Sequence, residues 1–259
     1  MGMIWLPDRH KHQGRIVAAL YERSAAVLCD RQAVFAVGIR GADKQRALAR
    51  AGISPSRYLT VSVDLTLAEM ARRSLIPVTR GLSPLEGADL VHAEAQHIAK
   101  RLAARAIADG RNLLLDVTMA SQPSVQSWLV NLGLAMYAVE VALAPVSGED
   151  AVRRADAEHR HGQEKYLNGE GPGGRYVPAE AILAAASVAA SIAASDWATI
   201  LQHLTGQQEI AFPRGELLSL ARAYRDGRLT LASLSQRVRS RRLPPVPPAR
   251  PGADGIRAG

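Results

Sequence analysis

The sequence predicts an α/β fold in which a parallel β-sheet lies between helices on both of its faces. Short apolar runs alternate along the chain with segments of helical periodicity, and the joins between them are short. Joins of this kind favour right-handed crossovers between parallel strands. In addition, one apolar run leads into a glycine-containing turn and then a helix-forming segment, which is the order of a phosphate-binding loop.

The individual elements are assigned from the spacing of apolar residues, and their ends from glycine and proline. Apolar residues three and four apart indicate helices, whereas short apolar runs indicate buried strands. In chain order we predict a helix at 16–28, a strand at 33–37, a helix at 46–50, a strand at 58–63, helices at 67–74 and 83–109, a strand at 112–116, a helix at 124–132, a strand at 136–143, a helix at 148–160, a mobile glycine-rich loop at 161–178, a helix at 179–194, a strand at 197–201 and an edge hairpin at 209–212.

Composition divides the chain into three regions. Residues 1–212 are predicted to form the sheet domain. Residues 213–242 are predicted to form a helical hairpin extension, whose two halves join through Asp226 and Gly227. Residues 243–259 are rich in proline and arginine, so they are predicted to be an extended and disordered tail.

The net charge of +8 resides mainly in the last segment, where ten arginines from Arg214 onward stand against three acidic residues. Aromatic residues make up 4% of the chain, so few side chains could stack on the bases of a single strand. Nucleic-acid binding is therefore not expected. A basic tail that docks a nucleic acid or a protein partner remains open as an alternative.

The single cysteine, Cys29, excludes an intrachain disulfide and fits a reducing compartment. No signal-peptide pattern is present, and the longest apolar run is too short to span a bilayer. We therefore expect a cytoplasmic protein without membrane contact. His10 and His12 are paired by spacing, as are His159 and His161, but neither pair has a third ligand nearby, so no metal site is predicted.

The turn after the first strand matches the phosphate-loop pattern GxxxxGK[ST] only in part. Gly38 and Lys44 have the spacing at which backbone N–H groups and an ammonium group converge on phosphate oxygens. Asp43 stands where glycine is required, and Gln45 stands where a hydroxyl is required. A carboxylate about 4 Å from a phosphate costs on the order of 4 kcal/mol at an effective dielectric constant of about 20. The turn is therefore either an impaired nucleotide site or a strand–turn–helix with an exposed lysine.

Asp64 and Asp116 stand at the ends of two predicted strands. Ligands of α/β proteins bind at the carboxyl ends of parallel strands, so a functional role for Asp116 is favoured. His92 lies on the long predicted helix, where a surface or partly buried histidine is as well supported as a substrate contact. The alternation of strands and helices thus predicts a three-layer parallel sheet, with these positions and the glycine turn at one edge.

Four segments together resemble the zeta toxin family of P-loop kinases. They are L-V-H-A-E at 90–94, G-R-N-L-L-L-D-V-T at 110–118, the charged helix ending at Arg160, and G-G-R-Y-V-P at 173–178. The resemblance extends over about residues 33–182. It implies a three-layer, P-loop kinase-like parallel sheet and an enzyme that uses ATP and Mg²⁺ to phosphorylate a nucleotide sugar, UDP-N-acetylglucosamine, at a sugar hydroxyl. It also implies a small antitoxin protein as a partner.

The resemblance assigns roles to individual residues. The catalytic residues it implies are Lys44, Asp64, Arg160 and Arg175. The nucleotide-binding residues it implies are Gly38, Gly41, Lys44 and Gln45. The substrate-binding residues it implies are His92, Glu94, Asp116 and Thr118. The two arginines correspond to lid arginines that neutralise charge on the transferred phosphoryl group.

The departures from the family pattern gather at the catalytic positions. The acid-x-acid element after the second strand reads Asp64-Leu65-Thr66, and Thr66 cannot act as a base near neutral pH. Together with Asp43 and Gln45, this change predicts a kinase fold whose phosphoryl transfer is weak or lost. Two alternatives remain: an active kinase in which Asp64 replaces the missing base, and an inactive relative that binds a nucleotide sugar or a protein partner.

Overall fold

A parallel sheet of four strands forms the centre of the molecule, for which the computed structural model describes residues 5–117, 128, 131–144 and 146–194. The strands are β1 (Gln32–Val37), β2 (Leu59–Val61), β3 (Leu113–Val117) and β4 (Ala138–Leu143). Their order in the sheet is β2-β3-β1-β4, and all neighbouring pairs are parallel. The carboxyl ends of β1 and β3 therefore meet at the same edge of the sheet.

Residues 131–134 are helical, and six further α-helices surround the sheet in the described part of the chain. They are α1 (Pro7–Glu22), α2 (Lys44–Arg50), α3 (Val63–Arg72), α4 (His92–Ala108), α5 (Gly148–Leu167) and α6 (Ala179–Ala194). Two 3₁₀ segments, Pro55–Arg57 and Pro84–Val91, precede β2 and α4. None of the described helices is long and apolar enough to cross a bilayer.

The strand β1 explains the three layers, because its residues alternate between two apolar cores. Phe35 and Val37 face a core that contains residues of α1, α3 and α4. Val34 and Ala36 face the opposite core with Leu48 of α2. A strand that is buried on both faces reads as a continuous apolar run, which is why the sequence predicted a parallel sheet. The predicted α/β fold is confirmed.

Several predicted boundaries are wrong, and capping explains one of them. The second strand ends at Val61 because the side chain of Ser62 accepts the N–H of Leu65 and so begins α3. Asp64 therefore lies in the first turn of a helix instead of at a strand end. The first helix occupies Pro7–Glu22 instead of 16–28, and the predicted helix at 83–109 is divided into the 3₁₀ segment and α4.

The predicted mobile loop at 161–178 is wrong in its first part, because α5 continues to Leu167. Gly162 lies inside this helix, where a Cβ atom would come within 2.4 Å of the Gly174 Cα atom. Glycine is thus present at this position because of close packing, not because of a turn. The predicted helix at 179–194 is confirmed as α6, and the predicted start agrees with Ala179. Of the predicted helix at 124–132, residues 128, 131 and 132 are described, and they are helical. The predicted elements at 195–212, the hairpin extension and the tail lie outside the described residues.

A buried carboxylate joins α3 to the end of α1. The side chain of Glu69 is 3% exposed and accepts hydrogen bonds from Arg23, Arg72 and Arg73 at 2.6–2.7 Å. Burial alone would raise the pKa of Glu69, but the hydrogen bonds from Arg23 and Arg73 and the nearby arginine charges outweigh burial and lower it. The ionised form of Glu69 therefore stabilises the folded state.

We predict that Glu69→Gln lowers the free energy of unfolding by about 2 kcal/mol, because hydrogen bonds to a charged group are worth about 1.5–3 kcal/mol. Since folding lowers the pKa of Glu69, its contribution is complete above the ordinary value of 4.5 and is lost as the pH falls through the lower folded value. Urea unfolding between pH 7 and pH 3 measures both effects. Glu22→Gln, the same change at an exposed position of α1, is the control and should have little effect.

Candidate functional site

The turn between β1 and α2 packs directly against α5. Gly41 has a φ of +80°, and a Cβ atom there would lie 2.1 Å from the carbonyl oxygen of Ala151. At Gly38, a Cβ atom would lie 2.9 Å from that of Ala42. Both glycines are therefore required by close approach of the backbone, and at Gly41 also by its conformation. The turn is held in place by this packing.

Asp43 caps the N-terminus of α2. Its Oδ1 accepts the N–H of Arg46 at 2.9 Å, and the N–H of Lys44 donates to the carbonyl oxygen of Ala42 at 2.9 Å. Phosphate loops offer such N–H groups to the ligand. In this turn two of them already have partners within the chain, and the side chain of Gln45 is exposed.

Lys44 and Asp116 meet at the carboxyl edge of the sheet, as the parallel strands require. The Nζ atom of Lys44 lies 2.5 Å from Oδ1 of Asp116, which follows Leu115 in β3. Ser62, at the end of β2, donates its hydroxyl to Oδ2 of Asp116 at 3.2 Å. The structure thus brings together two residues that the sequence singled out and adds Ser62, which sequence reasoning missed.

Asp64 lies between two arginines. Nη1 of Arg40 donates to Oδ2 of Asp64 at 2.8 Å, and Nη1 of Arg175 donates to Oδ1 at 2.6 Å. Nη2 of Arg40 also lies 3.1 Å from Glu158 of α5. Burial alone would raise the pKa of Asp64, but the charges of Arg40, Arg175 and Lys44 outweigh burial and lower it. Asp64 is therefore ionised near neutral pH.

His92 completes the surroundings of Arg175. Nη2 of Arg175 lies 3.3 Å from Nδ1 of His92 and 3.6 Å from Oδ1 of Asp89. Because arginine can only donate, Nδ1 of His92 is its unprotonated nitrogen. Burial and the charge of Arg175 lower the pKa of His92, so the imidazole is neutral at pH 7.

The two glycines of the segment G-G-R-Y-V-P determine where Arg175 lies. A Cβ atom at Gly174 would lie 2.1 Å from the carbonyl oxygen of His159 in α5. Gly173 has a φ of +99°, and a Cβ atom there would lie 2.1 Å from Oγ of Ser83. Because these two residues are glycines, the backbone fits between α5 and Ser83. In this position the side chain of Arg175 reaches Asp64.

Three residues implied by the resemblance are not part of this arrangement. Arg160 is exposed on α5, and its side chain makes no hydrogen bond or ion pair with the described residues. Glu94 is buried and pairs with Arg9 of α1 at 2.8 Å and with Gln13 at 2.8 Å. Thr118 lies outside the described residues. Glu94 therefore ties α4 to α1 in this structure.

Arg40 is the main site residue that sequence reasoning missed. It stands at a position that the phosphate-loop pattern leaves free, so the pattern gave no signal. An arginine within a glycine turn beside a suspected phosphate site could have been noticed on charge alone. Glu158 and Asp89 were also missed, because acidic residues on a charged helix or before a helix are common. Among the described residues, no group of three or more histidine, cysteine or acidic side chains is arranged to hold a metal ion.

A model of the zeta toxin family matches residues 61–209. The match begins at Val61 of β2, so the turn at 38–45 precedes it. Comparison with curated protein sequences gives no significant match. A chain of the solved structure titled "Crystal structure of AvrRxo1-ORF1:AvrRxo1-ORF2 with sulphate ions" is similar, with a TM-score of 0.50 and 16% sequence identity, over 82% of this chain and 70% of that one. At this identity the likeness shows the fold alone.

We predict that Gly174→Ala destabilises the protein by at least about 2 kcal/mol, because the added methyl group would meet backbone atoms of α5 that cannot move aside. Gly171→Ala is the matched control, since a Cβ atom there has no neighbour within 4 Å. Chemical unfolding of both variants measures the difference. Equal stability of the two variants would contradict the packing role of Gly174.

Proposed function

The chain belongs to the zeta toxin family, and from this premise we propose that it binds a nucleotide sugar, UDP-N-acetylglucosamine, with ATP-dependent phosphoryl transfer weak or lost. Members of the family are nucleotide-binding kinases, and the described residues have the α/β fold that this activity uses. The proposal concerns the departures from the family pattern, which lie in the turn at 38–45 and at Asp64.

One observation carries the proposal: the Asp43 carboxylate occupies the start of α2, where it accepts the N–H of Arg46. A nucleotide phosphate at that place would have to displace this carboxylate and approach its negative charge. At about 4 Å the repulsion costs on the order of 4 kcal/mol at an effective dielectric constant of about 20. A cost of this size lowers affinity by about a thousandfold.

The residues of the turn do not fit a bound Mg²⁺–ATP. The position that ligates magnesium in the phosphate-loop pattern is Gln45, which offers no hydroxyl and is exposed. Lys44, which would reach the phosphates, is paired with Asp116. ATP and Mg²⁺ are the family's cofactors. To bind them here, the hydrogen bond between Asp43 and the N–H of Arg46 and the ion pair between Asp116 and Lys44 would both have to break.

The residues on the other side of the site support a phosphorylated ligand. Arg175 belongs to the G-G-R-Y-V-P segment that carries the resemblance, and the glycines position its guanidinium beside His92 and Asp64. Asp116 and Ser62 offer polar groups at the same sheet edge. A diphosphate with an attached sugar presents both the anionic oxygens and the hydroxyls that such groups bind.

An active kinase is the second candidate, and one observation favours it. Asp64 is ionised and half-exposed, as a base that accepts a proton from a sugar hydroxyl must be. Its lowered pKa, however, makes it a weak base. In this case Lys44→Ala should abolish turnover, and transfer that survives Lys44→Ala would contradict this candidate.

A protein partner is the remaining expectation. The similar solved structure contains AvrRxo1-ORF1 together with AvrRxo1-ORF2, which supports a search for a small antitoxin that binds this chain. The basic tail from residue 213 onward is a second docking candidate for a partner or a nucleic acid. Deletion of the residues after Phe212 with unchanged binding to DNA or RNA would dispose of the nucleic-acid alternative.

We predict micromolar binding of UDP-N-acetylglucosamine and no measurable binding of ATP with Mg²⁺, both by isothermal titration calorimetry. Arg175→Ala should weaken binding of the nucleotide sugar at least tenfold, because a hydrogen bond to a charged group is worth about 1.5–3 kcal/mol. Arg154→Ala, at an exposed position of α5, is the control and should leave binding unchanged. Micromolar binding of both ligands would favour the active kinase instead.

We also predict that Asp43→Gly strengthens ATP binding, because it removes the carboxylate from the start of α2. Asp43→Asn keeps a cap of similar shape without the charge and separates the two effects. Calorimetric titration with ATP and Mg²⁺ measures both variants. If neither variant binds ATP more tightly than the original chain, Asp43 is not what impairs the turn.

A further inference from the structure

The carboxylate of Asp64 lies on the solvent side of two less exposed guanidinium groups. Its side chain is 44% exposed, whereas those of Arg40 and Arg175 are 23% and 17% exposed. The two arginines contact different oxygens of the carboxylate, at 2.8 and 2.6 Å. Asp64 is therefore placed as an anion from solution would be placed on a pair of cations.

The donors of these arginines are not exhausted by the carboxylate. The Nε atoms of Arg40 and Arg175 are both buried, and neither has a hydrogen-bond partner among the described residues. Each guanidinium carries five N–H donors, whereas a carboxylate offers two oxygens. A phosphate group offers more acceptor oxygens and up to two negative charges, so it satisfies two arginines better than a carboxylate does.

The backbone holds both arginines in place before any ligand arrives. Arg40 precedes Gly41, whose backbone packs on Ala151 of α5. Arg175 follows Gly174, whose backbone packs on His159 of the same helix. Because α5 supports both segments, the spacing between the two guanidinium groups is set by the fold. Such pre-organisation reduces the entropy that binding must overcome.

We propose that Arg40 and Arg175 form a binding site for a phosphate group, and that Asp64 occupies this site as an internal anion which the phosphate displaces. Arg40 is a specificity-determining residue in this arrangement, since it links the turn after β1 to the segment that follows α5. The inference rests on the proposed function in that the phosphate would belong to the nucleotide sugar. The site itself requires only a phosphate dianion.

Displacement of Asp64 is sterically simple. The residue stands in the first turn of α3, which is ten residues long, and its side chain already reaches solvent. A carboxylate in the first helical turn interacts favourably with the N-terminal end of the helix dipole. Asp64 therefore keeps a favourable position after it leaves the arginines. Two further acidic neighbours contact the same guanidinium groups at Nη2, Glu158 on Arg40 at 3.1 Å and Asp89 on Arg175 at 3.6 Å.

The alternative is that the Asp64 ion pairs only tie α3 to the two loops. The two cases make opposite predictions for Asp64→Asn, which removes the charge and keeps the shape. An internal anion competes with phosphate, so its neutralisation should tighten phosphate binding. A structural tie does not compete, so its loss should lower stability without a gain in affinity.

The test is calorimetric titration of the full chain with inorganic phosphate at constant ionic strength. We expect Asp64→Asn to bind phosphate at least tenfold more tightly than the original chain, and Arg40→Gln in the Asp64→Asn background to remove that gain. Asp156→Asn, at an exposed position of α5, should change nothing. Equal phosphate affinity in Asp64→Asn and the original chain, or a gain that survives Arg40→Gln, would overturn the proposal.

Two further measurements keep the outcome decisive. Circular dichroism shows whether each variant folds. If Asp64→Asn does not fold, phosphate affinity is compared between Arg40→Gln and the original chain. An unchanged phosphate affinity in Arg40→Gln would rule the site out. Titration with UDP-N-acetylglucosamine runs in parallel. Tighter phosphate binding without sugar-nucleotide binding would refute the proposed function and leave the phosphate site standing, and the reverse result would refute the site alone.

Discussion

The close packing of two loop backbones on α5 is the constraint on which the site depends. Gly41 lies against Ala151, and Gly174 lies against His159, so that neither contact leaves room for a side chain. These contacts hold the turn after β1 and the G-G-R-Y-V-P segment on the same helix. Arg40 and Arg175 project from these two segments and therefore meet at Asp64, although 135 positions of sequence separate them.

The cations of the site each have an internal anion. Lys44 pairs with Asp116, Arg40 with Asp64 and Glu158, and Arg175 with Asp64. Charged groups that lose solvent are stable only when they are paired, so this neutrality is what the folded chain needs in the absence of ligand. A phosphorylated ligand must then compete with carboxylates, and its affinity depends on which of them can leave. Asp64, at the start of a helix and half-exposed, is better able to leave than Asp116, which also accepts a hydrogen bond from Ser62.

Membership of the zeta toxin family leads us to expect ATP binding, whereas the residues of the turn at 38–45 lead us to expect that ATP binds weakly or not at all. The family match begins at Val61 and includes Asp64, His92, Asp116 and the arginines of α5 and the following segment. The turn precedes the match, and its Asp43 and Lys44 have partners within the chain. The proposed loss of ATP binding therefore concerns a turn that lies outside the residues matched by the family model.

The sequence by itself determined the α/β class and the start of α6, and it singled out Lys44, Asp116 and Arg175 as candidate site residues, because local periodicity and short motifs carry this information. It did not reveal that Ser62 ends β2 and turns Asp64 into a helix residue. It also could not reveal that Glu94 pairs with α1, that Gly162 continues α5, or that Arg40 shares Asp64 with Arg175. Most of these features depend on contacts between residues far apart in the chain. The end of β2 depends instead on whether Ser62 continues the strand or caps the helix α3. Only the tertiary structure decides such contacts, because distances between distant segments are set by packing and not by the spacing of residue types.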